Sequence, residues 1–521
     1  MIVLLVVNAG FLSEIIPVKF RSILILAALA PFLFAVPEAA HGAPKPVMVH
    51  YMPWFQSPYS LGANTWGAHW TGNGLFVYHS NPFFYFNPTV TNNGEAGIAS
   101  WYYPLTGPYD SLDPAVLEYH VLLMKLAGID GVIVDWYGQD NYYDYSVNNQ
   151  RTLAMLNYAG KAGLKFSLCY EDATIQAEIN GGSMNGVNTA TNPIAHAQQT
   201  MLYAQTHFFT DPSFLRLNNA PVLLNFGPQY FHNSSDWTSI FSVLDPTNQP
   251  AFFTEDNRLS PVGKGAFDWP PMSQSSGNPL TLSSNQLQNY LVNFETTAKN
   301  QAWPSFVSSA VPRFHDIYGQ VGGTTLGILD DASGNTLANT LRRAMTNNSS
   351  IVQIVTWNDF GEGTAVEPTA AGNEPTTEYG YSDLGIIQDS RRQYLDSSFP
   401  YHTNDLALAL RFYNLRKLYA NNPALSSELN RTFTNIVSGQ VSTANLQLTG
   451  MASNHPVIYN LSYDGLQLQF LIGGYVASGV QVQMSTNLTD WQTVQTFPVS
   501  ANLTVFSTSN ALDVCRFFKV Q

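Results

Sequence analysis

The chain has 521 residues, enough for one large domain and an appendage. Hydrophobic residues make up 45% of it and charged residues only 11%, which argues for a large core and against intrinsic disorder. A formal net charge of −14 leaves no basic face to neutralise phosphates, so no nucleic-acid partner is expected. Aromatic residues, at 13%, suit a neutral ligand that can stack on rings.

The first element predicted along the chain is a secretory signal. Lys19 and Arg21 precede an apolar run over 23–36, and small residues dominate 39–43. This order is typical of a cleaved leader, which we place at 1–42. The run is short for a membrane span, so we expect no stable span after cleavage and a secreted, periplasmic or cell-surface protein. A buried core helix is the alternative for this run, and residues 1–18 are a misassigned start or part of a longer leader.

Eight short apolar segments with polar or aromatic ends follow, at 46–54, 131–137, 164–172, 220–227, 250–256, 265–269, 305–313 and 351–359. Near-continuous apolar runs are typical of strands covered on both faces. Helix-like patterns lie between several of them, at 114–127, 151–162 and 193–206. The alternation predicts an α/β fold, a (β/α)8 TIM barrel, whose chemistry lies at the strands' carboxyl ends. The sixth segment is the weakest, because it is short and ends against two prolines.

The C-terminal part has a different pattern. Residues 405–420 predict an amphipathic closing helix, and from Asn454 short alternating segments predict a small all-β sandwich. The predicted organisation is therefore a leader (1–42), a barrel (43–421), a linker (422–453) and a β-module (454–521). Carbohydrate binding through Trp491 and a plain spacer or sorting role both fit this module.

The most informative stretch is VTWNDFGEGTAVEP at 355–368, at the end of the eighth predicted strand. Asp359 and Glu362 are three residues apart and accompanied by glycines, a composition typical of a tight turn that aims both carboxylates into the barrel mouth. Glycoside hydrolysis needs such a pair, one protonated and one ionised. The alternative is that Asp359 caps the turn and Glu362 is solvated.

The motif WNDFGEGTAVEP resembles the eighth-strand signature of glycoside hydrolase families 71 and 99. Family 99 typically reads WNEWHEGTxIEP and family 71 opens WNDxGES, so the chain shares features with both. HYMPW at 50–54, WGAHW at 66–70, YYP at 102–104 and GIDGVIVDWYG at 128–138 also look like family 99. The resemblance covers most of 46–385. It implies an endo-acting glycosidase on α-linked glycans of mannan or glucan type.

The resemblance also implies roles for the two acids. Glu362 would be the general acid, and the base in any second step, and Asp359 its partner carboxylate. In family 99-like enzymes the partner position activates the sugar 2-hydroxyl with retention, whereas in family 71-like enzymes it assists an attacking water. Asp is shorter than Glu and leaves room for a water, which slightly favours inversion.

Polar and aromatic side chains at many strand ends predict a sugar-binding rim. For any single tryptophan the alternative is a core position, and for any single acid a cap or a loop salt bridge. The predicted substrate-binding residues are His50, Tyr51, Trp54, Trp66, His69, Trp70, Asp135, Trp136, Tyr137, Glu171, Asn225, Glu255, Asp316, Trp357, Asn358 and Glu367.

Neither a metal nor a cofactor is predicted. His50, His69 and His315 lack ligand spacing, so hydrogen bonding to sugar hydroxyls or burial in the core is favoured for them. Cys169 and Cys515 are expected to be unbridged, and the absence of GxSxG argues against a serine hydrolase. The expected partner is an oligo- or polysaccharide, and the sequence does not address the oligomeric state. The competing hypotheses are a non-catalytic carbohydrate-binding barrel and, more remotely, a metal-dependent barrel hydrolase.

Overall fold

The computed structural model describes residues 2–6, 45–58, 65–92, 95–181, 192–370 and 379–453. Near the C-terminus it also describes 457–463, 468–473, 480–486, 489–497, 504–508 and 516–520. The chain forms two compact units, one of Pro44–Ala407 and one of Leu408–Gln521 with Met1–Ala43. Residues 7–42 of the predicted leader, with its basic and apolar parts, lie outside the described residues. No helix of the described ranges is long and apolar enough to cross a membrane.

Eight parallel strands form a closed barrel in the first unit. They are β1 (Val47–Tyr51), β2 (Gly131–Trp136), β3 (Lys165–Tyr170), β4 (Ala220–Asn225), β5 (Ala251–Glu255), β6 (Gly265–Phe267), β7 (Val307–Ala310) and β8 (Ile351–Ile354). Each strand pairs with the next along the chain, and β8 pairs with β1 to close the ring. All eight predicted segments are strands, which confirms the TIM-barrel prediction.

The short sixth strand is held by a close backbone approach. A Cβ atom at Gly265 would lie 1.9 Å from the carbonyl oxygen of Ser305, so only glycine lets the two backbones come this near. β6 pairs with β5 over Phe253–Glu255, whereas its pairing with β7 is the single register pair Phe267 with Val307. The barrel therefore includes β6 despite the prolines that follow it.

Helices cover the outside of the barrel. They are α1 (Pro114–Ala127), α2 (Tyr145–Lys161), α3 (Ala173–Gly181), α4 (Pro193–Ala204), α5 (Ser234–Phe241), α6 (Ser284–Asn300), α7 (Asn335–Thr346) and α8 (Ser382–Tyr394). Helix α1 shows how the sequence sets their ends. The Asp113 side chain accepts from the amide of Ala115 at 2.9 Å, Pro114 opens the helix and Gly128 closes it with a φ of 81°.

Shorter elements line the loops of the barrel. They are the helical turns Ala68–Thr71, Gln205–Phe209, Pro246–Asn248, Met272–Gln274 and Tyr318–Val321, and the two-residue strands Thr91–Asn92, Glu95–Ala96, Tyr103–Pro104, Arg216–Leu217, Phe314–His315, Ile328–Leu329 and Thr369–Ala370. Most of these follow the carboxyl ends of strands, where the loops that carry function are expected.

Three helices follow the barrel along the chain: α9 (Thr403–Leu418), which spans the boundary between the two units, α10 (Pro423–Val437) and α11 (Val441–Ser453). The predicted closing helix corresponds to α9, and the interval predicted as a linker consists mostly of α10 and α11. Arg411 on α9 bonds Asn445 and Thr449 on α11, so these helices contact each other directly.

The C-terminal strands are β9 (Val457–Tyr463), β10 (Leu468–Gly473), β11 (Val480–Ser485), β12 (Gln492–Phe497), β13 (Thr504–Thr508) and β14 (Arg516–Val520). They form two antiparallel sheets, β9–β10–β13 and β14–β11–β12, and the strand Ile2–Val6 adds to the outer edge of β14. This confirms a barrel followed by a β domain. The sequence interpretation missed β13. The Lys519 ammonium lies 4.4 Å from the centre of the Trp491 ring proposed for sugar binding.

Candidate active site

A tight turn after β8 carries both candidate catalytic acids. Thr356 and Thr364 close it, with their hydroxyls 2.9 Å apart and the Thr356 amide donating to the Thr364 carbonyl at 3.1 Å. The Val355–Thr356 peptide bond is cis. Gly363 has a φ of 68°, and a Cβ there would lie 2.6 Å from the His315 carbonyl oxygen. Both the positive φ and the close contact with His315 therefore favour glycine at this position.

The loop after β7 holds this turn from outside. The amide of His315 donates to the Glu362 carbonyl at 2.8 Å, and that of Ile317 donates to the Gly361 carbonyl at 2.9 Å. From another segment, the Ser100 hydroxyl donates to the Phe360 carbonyl at 2.9 Å. Because its carbonyls are bonded to two neighbouring segments, the turn fixes where both acidic side chains emerge.

The two carboxyl groups lie in environments that separate their ionisation. Asp359 accepts the amide of Glu362 at 2.9 Å, and burial raises its pKa to about 6 in spite of such backbone bonds. For Glu362, burial and then the negative charge of Asp359 raise the pKa well above its usual value. Glu362 therefore holds its proton more firmly than Asp359, and Asp359 is the first of the two to ionise as the pH rises. Hydrolases that use a pair of carboxyl groups need this difference, because one group acts as the acid and the other as the base.

Glu362 is held from one side and open on the other. The Tyr318 hydroxyl donates to its Oε1 at 3.1 Å. Its second oxygen, Oε2, is buried and has no hydrogen-bond partner among the described residues. A protonated carboxyl with an unpartnered oxygen in a cavity can donate to a ligand oxygen.

A cavity of about 260 Å³ opens in front of the pair. Its walls come from the ends of β1 and β2 and from the segments that follow β1, β2, β3, β4, β6, β7 and β8. All lie at the carboxyl ends of the strands, where TIM barrels carry their active sites. The lining residues are His50, Met52, Trp54, His69, Leu75, Phe76, Asp135, Tyr137, Glu171, Phe226, Trp269, Tyr318, Asp359, Gly361 and Glu362. The volume lies slightly below the roughly 300–1,000 Å³ of pockets for drug-sized ligands and suits a sugar ring.

Further acids lie in and beside this cavity. Burial, reinforced by Glu171 and Asp359, raises the pKa of Asp135 well above its usual value. Burial raises the pKa of Glu171 and of Glu255 to about 7 in each case. Glu171 and Glu255 are therefore partly protonated near pH 7, and a protonated carboxyl offers a donor as well as an acceptor to sugar hydroxyls.

Histidines and aromatics form the other wall. Trp54 and His69 stack with ring centres 4.2 Å apart, and Tyr137 lies 6.2 Å from Trp54. Burial lowers the pKa of His50 and of His69 to about 3, so both imidazoles are neutral. The Nδ1 atom of His50 is buried without a partner in the described part of the chain. The cavity thus combines ring faces with neutral hydrogen-bonding groups, as a sugar requires.

The structure brings eight of the predicted site residues into the cavity: His50, Trp54, His69, Asp135, Tyr137, Glu171, Asp359 and Glu362. Glu255 does not line the cavity, although its charge acts on Glu362. Trp269, which follows the sixth predicted strand, also lines the cavity, whereas the sequence interpretation did not assign Tyr318, Phe226, Leu75 or Phe76 to the site. Tyr318 and Phe76 lie in loops without a motif, so only the fold brings them to Glu362.

Four predicted binding residues on or near β1, β2 and β8 lie elsewhere: Tyr51, Trp136, Trp357 and Trp66. The first two follow inward-facing residues, and successive strand side chains point to opposite faces. Tyr51 lies 3.2 Å from Nδ1 of His120 on α1, and Trp136 donates to Asn149 on α2 at 3.0 Å. Trp357 is fully buried, and Trp66 is half-buried outside the lining of the cavity.

The other residues outside the cavity hold the loops around it. They are Trp70, Asn225, Asp316, Asn358 and Glu367. Trp70 donates to the Tyr109 carbonyl, and Asn225 donates to Asp172. Asp316 accepts the backbone amides of Tyr318, Leu326 and Gly327. Glu367 accepts the Tyr109 hydroxyl at 2.7 Å and lies 3.1 Å from Nε2 of His120. These contacts hold the segments that surround the cavity in place.

Two groups of side chains bring together atoms of the kind that bind metals. One consists of His50, Asp135 and Cys169, and the other of Asp140, Glu178 and His196; in each, the atoms lie within 4.8 Å of one another. Burial raises the pKa of the Cys169 thiol well above its usual value, so this thiol is protonated at neutral pH. In the second group, His196 Nε2 lies 2.6 Å from Asp140 and 2.7 Å from Glu178, as in an ion-paired triad. Cys169 is buried and free, and Cys515 lies outside the described residues.

Comparisons with known proteins find similarity to one family of glycoside hydrolases. The model of glycosyl hydrolase family 99 matches residues 44–243. Glycoprotein endo-alpha-1,2-mannosidase of Mus musculus is 23% identical over 333 residues, which are 60% of this chain and 68% of the mouse protein. An endo-alpha-1,2-mannosidase-like protein of Danio rerio is 33% identical over 92 residues, only 18% of this chain and 20% of that protein.

Among solved structures, the GH99 endo-alpha-mannosidase of Bacteroides thetaiotaomicron is 17% identical with a TM-score of 0.48. The match covers 69% of this chain and 98% of the chain of that enzyme. The protein is thus a family 99-like TIM-barrel protein, and the sequence matches indicate a glycosidase. The family match ends before the turn that carries Asp359 and Glu362.

Proposed function

We propose that this family 99-like barrel hydrolyses α-mannosyl linkages in oligo- or polysaccharides, with Glu362 as general acid and Asp359 as its partner base. The observation that supports the proposal is the turn after β8, whose two buried carboxyl groups line one cavity. Burial raises both pKa values, and the charge of Asp359 raises that of Glu362 further. The similarity to endo-alpha-1,2-mannosidase supports the choice of sugar.

The chemistry follows from the two ionisation states. Glu362 donates its proton to the glycosidic oxygen while the bond from that oxygen to the anomeric carbon breaks, so the departing sugar leaves as a neutral alcohol. Asp359 accepts a proton from the group that attacks the anomeric carbon. That group is a water if the configuration inverts, or the neighbouring sugar 2-hydroxyl if it is retained. The anomer formed first, observed by NMR, distinguishes the two routes.

The first experiment measures release of reducing sugar from α-mannan oligosaccharides by the wild type and two variants. Glu362→Gln keeps the size of the side chain but cannot transfer a proton, and Asp359→Asn cannot accept one. We expect each to lower kcat by roughly 10²–10⁴-fold, the usual contribution of a positioned acid or base.

Asp389→Asn is the matched control. Asp389 is a surface acid, 80% exposed and paired with Arg392, and its loss should leave turnover as in the wild type. Binding of mannan by folded protein without turnover would replace the proposal with the non-catalytic carbohydrate-binding barrel. Turnover that survives Glu362→Gln would remove the assigned acid.

A further inference from the structure

We propose that the loop Leu75–Phe86 supplies the subsite for the departing sugar, and that the ring of Phe76 receives the face of the sugar directly beyond the cleaved bond. The inference rests on the proposed function and extends it, because it requires a substrate with at least one sugar on the leaving side. The ligand is a neutral α-linked oligosaccharide.

Phe76 combines exposure with a place at the cavity. Its side chain is 51% exposed, yet it lines the same cavity as Glu362. Exposed aromatic side chains at a ligand cavity are candidates for contact with that ligand. Tyr78 and Phe84 extend the exposed aromatic surface along the same loop, at 78% and 54% exposed. A sugar presents C–H groups on its flatter face, and an aromatic ring can cover them without disturbing the hydroxyls at the edge.

The position of Phe76 relative to the acid assigns the side of the cleaved bond. The Phe76 ring packs edge-to-face against Tyr318 with centres 5.0 Å apart, and the Tyr318 hydroxyl bonds Glu362 at 3.1 Å. The general acid must touch the oxygen that departs. The sugar attached to that oxygen therefore lies on the Glu362 and Tyr318 side, next to Phe76. The sugar whose anomeric carbon is attacked then binds against the opposite wall, formed by Trp54, His69 and Tyr137.

The loop is held in this position before a ligand arrives. Asn73 and His79 exchange two hydrogen bonds, at 3.1 and 2.8 Å, and the Gly74 amide donates to the Val77 carbonyl at 3.0 Å. A Cβ atom at Gly323 would lie 2.7 Å from the Phe76 ring, so the ring rests directly on the backbone there. A preformed platform costs little entropy on binding.

The test compares two substrates that share the attacked sugar. α-Mannobiosyl fluoride loses a single fluoride ion and places no sugar beyond the cleaved bond, whereas an α-mannan oligosaccharide does. We expect Phe76→Ala to lower the ratio of kcat/KM on the oligosaccharide to kcat/KM on the fluoride by about tenfold, as for loss of one aromatic contact. Phe76→Trp should restore the ratio, because it restores a ring.

Val90→Ala is the control, since Val90 is 60% exposed outside the cavity lining, and it should leave the ratio unchanged. Equal melting temperatures of all variants would show that they fold alike. A ratio unchanged in Phe76→Ala, with both substrates hydrolysed, would overturn the subsite and leave the proposed function standing. Hydrolysis of neither substrate by the wild type would instead remove the proposed function and this inference with it.

Discussion

At the scale of single residues, the ionisation of the proposed acid Glu362 and the proposed base Asp359 predicts how turnover depends on pH. Asp359 must be ionised, so kcat/KM should rise as pH increases through about 6, the pKa to which burial raises this group. Glu362 must be protonated, so the rate should fall again once the pH exceeds its raised pKa. The profile is bell-shaped, and its two limbs belong to the coupled pair.

Two variants check the assignment of the limbs. Asp359→Asn should remove the acid limb from the residual activity. Tyr318→Phe removes a donor that favours the ionised form of Glu362, so the pKa of Glu362 should rise and the basic limb should move to higher pH. A basic limb that moves to lower pH in Tyr318→Phe would contradict the assignment of Glu362 as the acid.

At the scale of elements, the positions of the strands could be predicted from the sequence, but the direction in which their last side chains point could not. Buried strands leave near-continuous apolar runs in the sequence, and all eight were found from them. The runs do not mark which strand residue faces the cavity. His50 and Asp135 face it, whereas their neighbours Tyr51 and Trp136 bond to the helices outside.

Residues that reach the site from loops left no local signal. Phe76 and Tyr318 are more than 240 positions apart, and their 5.0 Å contact depends on how two loops fold over the barrel mouth. The pair Asp359 and Glu362 could be found because both its members and the glycines of its turn lie within a few residues. A local motif therefore indicated that these two carboxyl groups lie at the cavity, and tertiary contacts supplied the residues without a motif.

A polar connection between the segment after β1, the turn after β8 and the segment before α1 gives a prediction at this scale. Asn358 accepts the Met52 amide at 2.8 Å and donates to the Met52 carbonyl and the Tyr109 hydroxyl. Asn358→Ala leaves these buried groups unpaired, so we expect a loss of roughly 2 kcal/mol in the free energy of unfolding, measured in urea. Asn285→Ala, at an exposed position of α6, should cost far less. Equal losses in the two variants would contradict the importance of this connection.

At the scale of the whole molecule, buried titratable groups predict how stability changes with pH. Hydrogen bonds to Asp140 and Glu178 raise the pKa of His196 to about 9, and burial raises those of Glu171 and Glu255 to about 7. Above pH 6.5 the folded protein therefore holds protons that the unfolded chain has released, so stability should fall as pH rises from 6.5 to 9. The lowered pKa values of His50 and His69 affect the stability only below pH 6.5, outside this range.

Melting temperature against pH tests this expectation. His196→Gln should flatten the decline between pH 7 and 9, because its titration is removed, while Glu171→Gln should flatten only the part near pH 7. A wild-type melting temperature that climbs over this range would show that other groups dominate the titration.

The pairing of β1 with β8 has a consequence for the order of events during synthesis. Val47 pairs with Val352, so roughly 300 residues separate two strands that must lie side by side before the ring exists. At about 5–20 residues per second, the ribosome needs on the order of 15 to 60 s between the two strands. Throughout this interval β1 has no partner on that edge, and the nascent barrel remains an open sheet. Closure of the barrel, and with it completion of the cavity at the carboxyl ends of its strands, is therefore among the last events in the synthesis of this unit.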